Sequence, residues 1–332
     1  MDDLVTLRAA GSRSPATRSK RAIVEHRPRV DVIFDRVSLG AGLTVLVLLT
    51  LVGVFLLYQG RHTWTVLGTS FLTTEVWRSG GVHPHIGVLG LLFGTIVVGL
   101  IAEAFAVPLG IAVGLFIAEF ASKGAQRILQ GLVDLLAAVP SILFGLWGFF
   151  FLSGTIVPLS RWLTTHLSWF PLFATATSST LGTSFFIAGI VVSLMVIPIV
   201  ASISRAVFAQ TPPSEKEAAL ALGATRWGMI RTVVLPYGRG GMIGGSMLGL
   251  GRALGETIAV TFLLPQVPLI SAHLLQSGGA TIAGFIASRA GNVTTVPGLM
   301  AAGLILFVLT LLTNLVAASI VSRSRSGQGV EL

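Results

Sequence analysis

The chain alternates between long apolar runs and shorter polar segments, and the length of the apolar runs is its most regular feature. A helix that crosses a bilayer needs about 20 predominantly apolar residues. Six runs reach that length, at about 38–58, 87–118, 130–152, 185–205, 240–264 and 297–320. The pattern therefore predicts an all-α membrane protein with six transmembrane helices.

One polar stretch between these runs, residues 214–236, is itself able to form helix. Ser214 and Glu217 have the spacing of a capping box, in which each side chain satisfies a free backbone amide at a helix start. Gly223 can take the left-handed conformation that ends a helix, and Thr225 can cap a second one. The stretch predicts two short helices hinged at a glycine and ending at Pro236.

Composition supports a polytopic membrane protein and excludes several other classes. Hydrophobic residues make up 53% of the 332 and charged residues only 11%, against about 25% charge in ordinary soluble domains. The absence of cysteine excludes disulfides and thiolate metal sites. His83-Pro84-His85 has no nearby cysteine or acidic cluster to complete a metal site, so we interpret it as a loop. No lysine follows a glycine, so the chain lacks a phosphate-binding loop for ATP.

The distribution of charge indicates a topology. A net charge of +9 can indicate nucleic-acid binding in a soluble chain. Here, with six spans, the side that holds both termini carries 17 Lys and Arg residues and the other side four. The positive-inside rule makes the termini cytoplasmic. The predicted parts are a cytoplasmic tail, a first helix, an extracytoplasmic loop, a five-helix core with a cytoplasmic loop at 208–239, and a second cytoplasmic tail: 1–37, 38–59, 60–86, 87–320 and 321–332.

The fifth apolar run combines small residues with two charges. Its small residues recur every four positions and predict a ridge that lets another helix approach closely: Gly241, Gly245, Gly249 and Ala253. Arg252 and Glu256 are also four apart, so on a continuous helix they share a face and can pair. Because a charge inside a membrane is costly, it marks a functional site by default. We predict that Arg252 lies on a substrate pathway; a pair that only locks helices together is the alternative.

Two further acidic residues lie in or near the predicted spans. Asp134 is close to the start of the third run, near enough to the cytoplasmic interface to be solvated. Glu103 lies deeper in the second run, where a cation such as Arg252 could meet it. We therefore treat Glu103 and Asp134 as candidate intramembrane charge partners.

The polar stretch resembles the EAA motif of permeases from ATP-binding-cassette (ABC) importers. The match comprises Glu217-Ala218-Ala219, Gly223 six residues after the glutamate, and Val233-x-Leu235-Pro236, with Val233 where isoleucine is usual. In that family the motif lies on a cytoplasmic loop that docks into a groove on the ATPase subunit. The resemblance implies a coupling role for a set of residues: Glu217, Ala218, Ala219, Gly223, Leu235 and Pro236. A surface hairpin in which Glu217 only caps a helix is the alternative.

Two more stretches narrow the resemblance to the PstC family of phosphate-importer permeases. Residues 251–260 read Gly-Arg-Ala-Leu-Gly-Glu-Thr-Ile-Ala-Val and are similar to the family signature G-R-A-L-G-E-T-M-A-V. The partner family PstA tends to read A-R-I-A-G-E-T-A at this place. Residues 134–149 resemble a second PstC stretch, E-L-L-A-G-I-P-S-V-V-Y-G-L-W-G. The departures are Asp134 for glutamate, Ile258 for methionine and Glu103 at a normally apolar place.

The resemblance implies the fold of type I (MetI-like) ABC importer permeases, in a bacterial cell membrane and surrounded by lipid. It implies a heterodimer with a PstA-like subunit, two PstB-like ATPase subunits that use ATP and Mg²⁺, and a PstS-like phosphate-binding protein. The chain itself would bind no cofactor and no nucleic acid, and would not be an enzyme. Arg252, Glu256 and Thr257 would line the pathway, with Arg252 offsetting the anion's charge and Glu256 holding Arg252 when no anion is there.

Two other functions are compatible with the sequence. A type I permease for another oxyanion, such as sulfate or molybdate, is the nearer one, and the unusual Glu103 leaves the anion preference open. A secondary transporter or channel would need neither ATP nor partner subunits. The lack of a convincing internal repeat argues against an inverted-repeat secondary transporter.

Overall fold

The computed structural model describes residues 29–78, 85–174, 181–268, 270–291 and 295–325. The α-helices over these residues are α1 Arg29–Leu67, α2 Ser70–Thr73, α3 Leu89–Leu115, α4 Lys123–Ala138, α5 Ser141–Trp147, α6 Ser153–Thr155, α7 Val157–His166, α8 Phe185–Phe208, α9 Pro213–Ala221, α10 Arg226–Met229, α11 Leu235–Leu254, α12 Ile258–Leu263, α13 Ile282–Arg289 and α14 Val296–Arg325. Three π-helical turns extend or join them, at Phe116–Phe120, Gly148–Leu152 and Ile230–Val234. Two short strands, β1 Trp77–Arg78 and β2 His85–Ile86, pair antiparallel.

Four described helical segments are long and apolar enough to cross a membrane: Val30–Leu67, Leu89–Phe120, Phe185–Phe208 and Val296–Ser322. They correspond to the first, second, fourth and sixth apolar runs, which confirms the all-α membrane fold. The third and fifth runs differ from single straight spans. Helix α11 is outside these four because its glycines and two arginines lower its hydropathy.

The chain divides into two compact units, Met1–Leu51 and Val52–Leu332. The described part of the first unit belongs to α1, whose side chains there are almost all exposed, as in a helix that faces lipid. With 39 residues, α1 is about 58 Å long, roughly twice the hydrocarbon thickness, so it contains the predicted spanning segment 38–59 and extends beyond it at both ends. Residues 1–28 of the predicted tail lie outside the described residues.

The third apolar run is bent. Helix α4 and the segment Ser141–Thr155 meet at 86°, so the third run forms two helical segments rather than one straight helix. The cause is Pro140, which lacks an amide hydrogen and holds Val139 extended at ψ 128°. None of the α4 side chains is buried, and the helix has an apolar stripe and a polar stripe, as expected of a helix at a membrane interface.

The fifth run is broken. A helical path runs without interruption from α10 through the π-helical turn Ile230–Val234 into α11, and it ends at Leu254. Two predictions were therefore wrong: that the second short helix ends at Pro236, and that one helix covers 240–264. Pro236 directly follows the π-helical turn, and because proline lacks an amide hydrogen it leaves one carbonyl of the preceding turn without its usual helical bond.

Several expectations concern loops. The loop predicted after the third run contains α7, which begins with Pro158 at its first or second position. The Ser/Thr-rich residues 175–180 lie outside the described residues, as do His83 and Pro84. His85 pairs with Arg78 across the two short strands.

The core lies where α3 and α8 pack together, through small and β-branched side chains such as Ala102, Val191 and Val196. Helix α11 packs on α8 through the predicted small-residue ridge. A Cβ at Gly241, Gly245 or Gly249 would contact α8 side chains, namely Val207, Ile203 and Val196. The ridge therefore brings the backbones of α11 and α8 close together, as predicted.

Candidate functional site

The polar stretch forms a hairpin, which we call the coupling hairpin: α9, the turn 222–225 and α10. Helix α9 starts at Pro213, two residues before the start implied by a Ser214 cap, and its N-cap Pro212 makes no side-chain hydrogen bond. The predicted capping box of Ser214 and Glu217 is therefore wrong. Proline fits the first helical position because its φ is already helical, so Ser214 lies inside the helix rather than at its cap.

The turn of the hairpin has the predicted glycine chemistry. Gly223 has a φ of +87°, in the left-handed region that a Cβ disfavours. Its amide bonds the carbonyl of Leu220 at 2.9 Å, and the amide of Ala224 bonds that of Ala219 at 3.1 Å. These two bonds form a Schellman motif, which satisfies carbonyls at the end of α9. Thr225 caps α10 as predicted, because its Oγ1 accepts a hydrogen bond from the Gly228 amide at 3.1 Å.

The EAA residues divide between an exposed face and a packed face. Glu217 and Ala218 are exposed, and Pro236 is exposed at the start of α11. Ala219 and Leu235 instead pack against a buried cluster formed by Phe208, Met229, Ile230 and Val234. The hairpin thus rests on the ends of α3 and α8 through its apolar side, and Glu217 is on its exposed side.

The hairpin is also tied to the end of α3 by charged groups that sequence reasoning missed. Lys216 on α9 forms an ion pair with Glu119 Oε1 at 2.5 Å. Arg226 on α10 donates a hydrogen bond from Nη2 to the backbone oxygen of Glu119, and its guanidinium carbon lies 4.7 Å from the centre of the Phe120 ring. Glu119 and Lys216 are 97 positions apart. The one sequence signal for their contact is the opposite charge of the hairpin and of the residue at the helix end.

Arg252 and Glu256 do not share a helix face. Arg252 lies in the last turn of α11 and is exposed, whereas Glu256 follows the end of the helix and is 8% exposed. Within the described residues Arg252 has neither an ion pair nor a hydrogen bond from its side chain. Glu256 Oε1 accepts a hydrogen bond from the Ala259 amide at 3.1 Å and so caps α12. The predicted pairing fails because it assumed a continuous helix.

The break between α11 and α12 is short and internally bonded. The Glu256 amide bonds the Ala253 carbonyl at 3.3 Å. Thr257 Oγ1 donates to the Gly255 carbonyl at 3.1 Å, and the Thr257 side chain is half-buried. Arg252, Glu256 and Thr257 therefore lie together at one break, with Arg252 on its exposed side and Glu256 on its buried side.

The two candidate charge partners are placed differently. Asp134 is exposed on α4. Glu103 lies on α3 facing α11, where a Cβ on Gly249 would be 3.0 Å from its Oε1. That oxygen is buried and has no hydrogen-bond partner in the described part of the chain. Neither residue forms an ion pair with Arg252 there.

Comparison with known proteins places this arrangement in a family. The family model for the binding-protein-dependent transport system inner membrane component matches residues 110–326. The phosphate transport system permease protein PstC 2 of Mycobacterium tuberculosis is 40% identical over 320 residues, 94% of this chain and 99% of that protein. The chain belongs to the PstC family of transport components. PstC of Mesorhizobium japonicum is 37% identical to this chain over 321 residues, which is 93% of this chain and 95% of that protein.

A solved structure shows the same fold. It is a bacterial ABC transporter involved in the import of the acidic polysaccharide alginate. The TM-score is 0.50 at 20% identity, over 71% of this chain and 79% of that chain. The apolar helices show that this PstC-family chain is a multi-pass membrane protein. Its family membership makes it one component of an ABC transporter with other subunits.

Proposed function

We propose that this chain is the permease subunit of an ATP-driven importer of inorganic phosphate. The observation that carries the proposal is the 40% identity to PstC 2 over 94% of the chain. The aligned region covers 94% of the chain and so includes both the coupling hairpin and the break that carries Arg252.

The chain works with three kinds of partner. A PstA-like permease subunit forms the pathway with it, two PstB-like ATPase subunits hydrolyse ATP with Mg²⁺, and a PstS-like protein delivers phosphate. The exposed faces of the hairpin support ATPase docking, because Glu217 is exposed and Leu222 beside the turn is 91% exposed. Leu220 and Trp227 on the two arms are exposed as well, and groups of exposed apolar side chains, unlike single ones, mark protein–protein interaction sites.

Transport follows alternating access. Closure of the ATPase subunits displaces the coupling hairpin, and the pathway between the two permease subunits opens to the outside. Phosphate then passes Arg252, which is exposed on α11 and makes no internal ion pair in the described residues. A guanidinium suits this role because its planar fork matches the oxygens of a phosphate group. Glu256 holds the break in shape, and Thr257 offers a hydroxyl beside it.

The proposal is tested by reconstitution. The chain is purified with its PstA- and PstB-like partners, placed in vesicles with the binding protein, and assayed for uptake of labelled phosphate. We expect uptake that needs ATP, and no uptake by this chain alone. Uptake of sulfate or molybdate in preference to phosphate would replace the proposed anion. Uptake by the chain alone would replace the ABC mechanism with a secondary transporter or channel.

Replacing Arg252 tests its contact with the anion. Because Arg252 is exposed and unpaired in the described residues, Arg252→Leu should assemble normally. Loss of a hydrogen bond to a charged group should lower phosphate uptake by about tenfold or more. Arg252→Lys keeps the charge without the fork and should retain partial uptake.

Arg239→Leu is the matched control, since Arg239 is an exposed arginine on the same helix. It should transport close to the wild-type rate. Uptake by Arg252→Leu equal to that of this control would remove Arg252 from the pathway.

A further inference from the structure

Both arms of the coupling hairpin hold the same residue, Glu119. Lys216 on α9 pairs with its carboxylate, and Arg226 on α10 donates to its backbone oxygen. The Gly223 turn lies between these two arms. Neither arm can move away from the end of α3 without breaking a contact to a charged group.

The contact with Lys216 is sheltered from water. The Glu119 side chain is 7% exposed and that of Lys216 is 21% exposed. Ion pairs on open surfaces contribute little because water screens them, whereas removal of one partner from a sheltered pair leaves an uncompensated charge. Arg226 adds its ring contact with Phe120, which stacks on Phe116 with ring centres 6.3 Å apart.

Glu119 also lies at one end of a rigid connection into the membrane. It belongs to the π-helical turn that continues α3 without a break. Sixteen residues earlier on that helical segment, Glu103 packs against Gly249 of α11. Gly249 is one helical turn before Arg252. A displacement of Glu119 along α3 therefore reaches the helix that carries the proposed anion contact.

The apolar contacts of the hairpin cannot transmit such a displacement as well. Met229 and Ile230 pack on Leu115 and Phe208 through dispersion contacts, which are individually weak and have no fixed direction. The ion pair and the hydrogen bond have defined donor and acceptor atoms, so a pull on either arm acts on one point of α3.

We propose that Glu119 is a positioning residue for coupling: it ties the hairpin to α3, so that movement of the hairpin by the ATPase moves α3 with it. This inference rests on the proposed ABC mechanism, and it assigns to α3 the role of carrying the displacement. Coupling through a physical path requires an element whose displacement both sites share, and the segment from Glu119 to Glu103 is that element.

The test compares transport with hydrolysis. Lys216→Met and Glu119→Gln remove the ion pair but keep the side-chain length, and the reconstituted complex is assayed for phosphate imported per ATP hydrolysed. We expect assembled complexes that still hydrolyse ATP, with this ratio lower by about fivefold or more, at the lower end of typical coupling energies. Lys216→Arg keeps the pair and should restore most of the ratio.

Lys123→Met is the matched control, because Lys123 is exposed on α4 and forms no ion pair in the described residues. It should leave the ratio unchanged. Wild-type ratios in both Lys216→Met and Glu119→Gln would overturn the proposal. So would failure of both variants to assemble while Lys216→Arg assembles, because the pair would then serve stability alone.

A second measurement does not depend on the transported anion. Leu248→Cys, at an exposed position on α11, introduces a single cysteine into a chain that has none. Its labelling by a thiol reagent should change when ATP and vanadate trap the ATPase, and this change should be lost in Lys216→Met and Glu119→Gln. A change that persists in both variants overturns the role of Glu119. If the change occurs without these substitutions and is lost in both variants, but the complex imports no phosphate, the proposed substrate is overturned and the role of Glu119 is supported.

Discussion

Gly223 decides at the scale of a single residue how the coupling hairpin turns. Its φ of +87° belongs to a region where any residue with a Cβ is strained. Within the described residues, and apart from its two chain neighbours, no atom lies within 4 Å of the position that a Cβ would take. The cost of a substitution is therefore conformational rather than steric, and it falls on the turn that sets the angle between the two arms.

Gly223→Ala is expected to destabilise the hairpin by about 1–2 kcal/mol, the usual cost of the left-handed conformation for an alanine. Thermal unfolding of the purified complex measures this loss, and phosphate imported per ATP should fall with it. Gly124→Ala is the control, because Gly124 lies in α4 with no atom within 4 Å and an ordinary φ. Equal stability of the two variants would show that the turn tolerates other conformations.

The sequence predicted those features of the site whose hydrogen-bonding residues are close together in the chain. The turn at Gly223 and the cap at Thr225 depend on bonds within five residues, so the local sequence determines them. The pairing of Arg252 with Glu256 was wrong, because spacing implies a shared face only when the helix continues between the two residues. Glu119 was missed since its partner Lys216 is remote in the sequence, and folding alone brings them together.

At the scale of elements, the close contact between α11 and α8 depends on residues without side chains. Gly249 faces both α8 and α3: a Cβ there would be 2.6 Å from Val196 Cγ1 and 3.0 Å from Glu103 Oε1. Such distances require a neighbouring side chain or helix to move. At Gly249, helix α11 therefore packs closely against both α8 and α3.

Gly249→Ala should destabilise the packed helices by about 1–3 kcal/mol, as overpacking does in other cores. Gly251→Ala is matched in chemistry and lies on the same helix, but its Cβ would meet only Asn314 Oδ1 at 3.4 Å. Both substitutions improve helix propensity equally, so the difference in unfolding temperature isolates the packing. A Gly249→Ala complex at least as stable as Gly251→Ala would contradict the close fit.

Hydropathy predicted which elements exist but not how two of them bend. The run from 130 begins in the middle of α4, because a sliding average cannot separate an interfacial helix from the membrane segment that follows Pro140. In the fifth run the break at Gly255–Thr257 is hidden, since these three residues are also compatible with a helix. Where the chain breaks depends on the capping bond of Glu256, which only the folded structure shows.

At the scale of the whole molecule, the hairpin joins several elements at one end. Glu119 of the α3 segment and Phe208 of α8 meet the hairpin there, and α4 begins four residues after Glu119. The Lys and Arg residues counted on this side, 17 against four, favour a cytoplasmic location by the positive-inside rule. The orientation therefore remains a prediction from charge, and it is what the ATPase contact requires.

Two isosteric substitutions test the orientation. Ser168, after α7, and Ser214, on α9, are both exposed, and the chain contains no cysteine that would add background. In intact cells, an impermeant thiol reagent should label Ser168→Cys and leave Ser214→Cys unlabelled. In permeabilised cells both should react, which controls for exposure. Labelling of Ser214→Cys from outside would reverse the topology and remove the hairpin from the reach of a cytoplasmic ATPase.

The break at Gly255–Thr257 has a consequence for the energetics of anion release. Arg252 lies in the last turn of α11, where the partial negative charge of the helix end stabilises a cation. Glu256 is occupied by the Ala259 amide, so each charge is compensated by backbone dipoles and not by the other. An anion that reaches Arg252 therefore displaces no carboxylate of the described residues, and no such carboxylate competes with it for the guanidinium. On the proposed pathway, we therefore expect departure of the anion to be linked to movement of α11 in the conformational cycle rather than to competition from a neighbouring carboxylate.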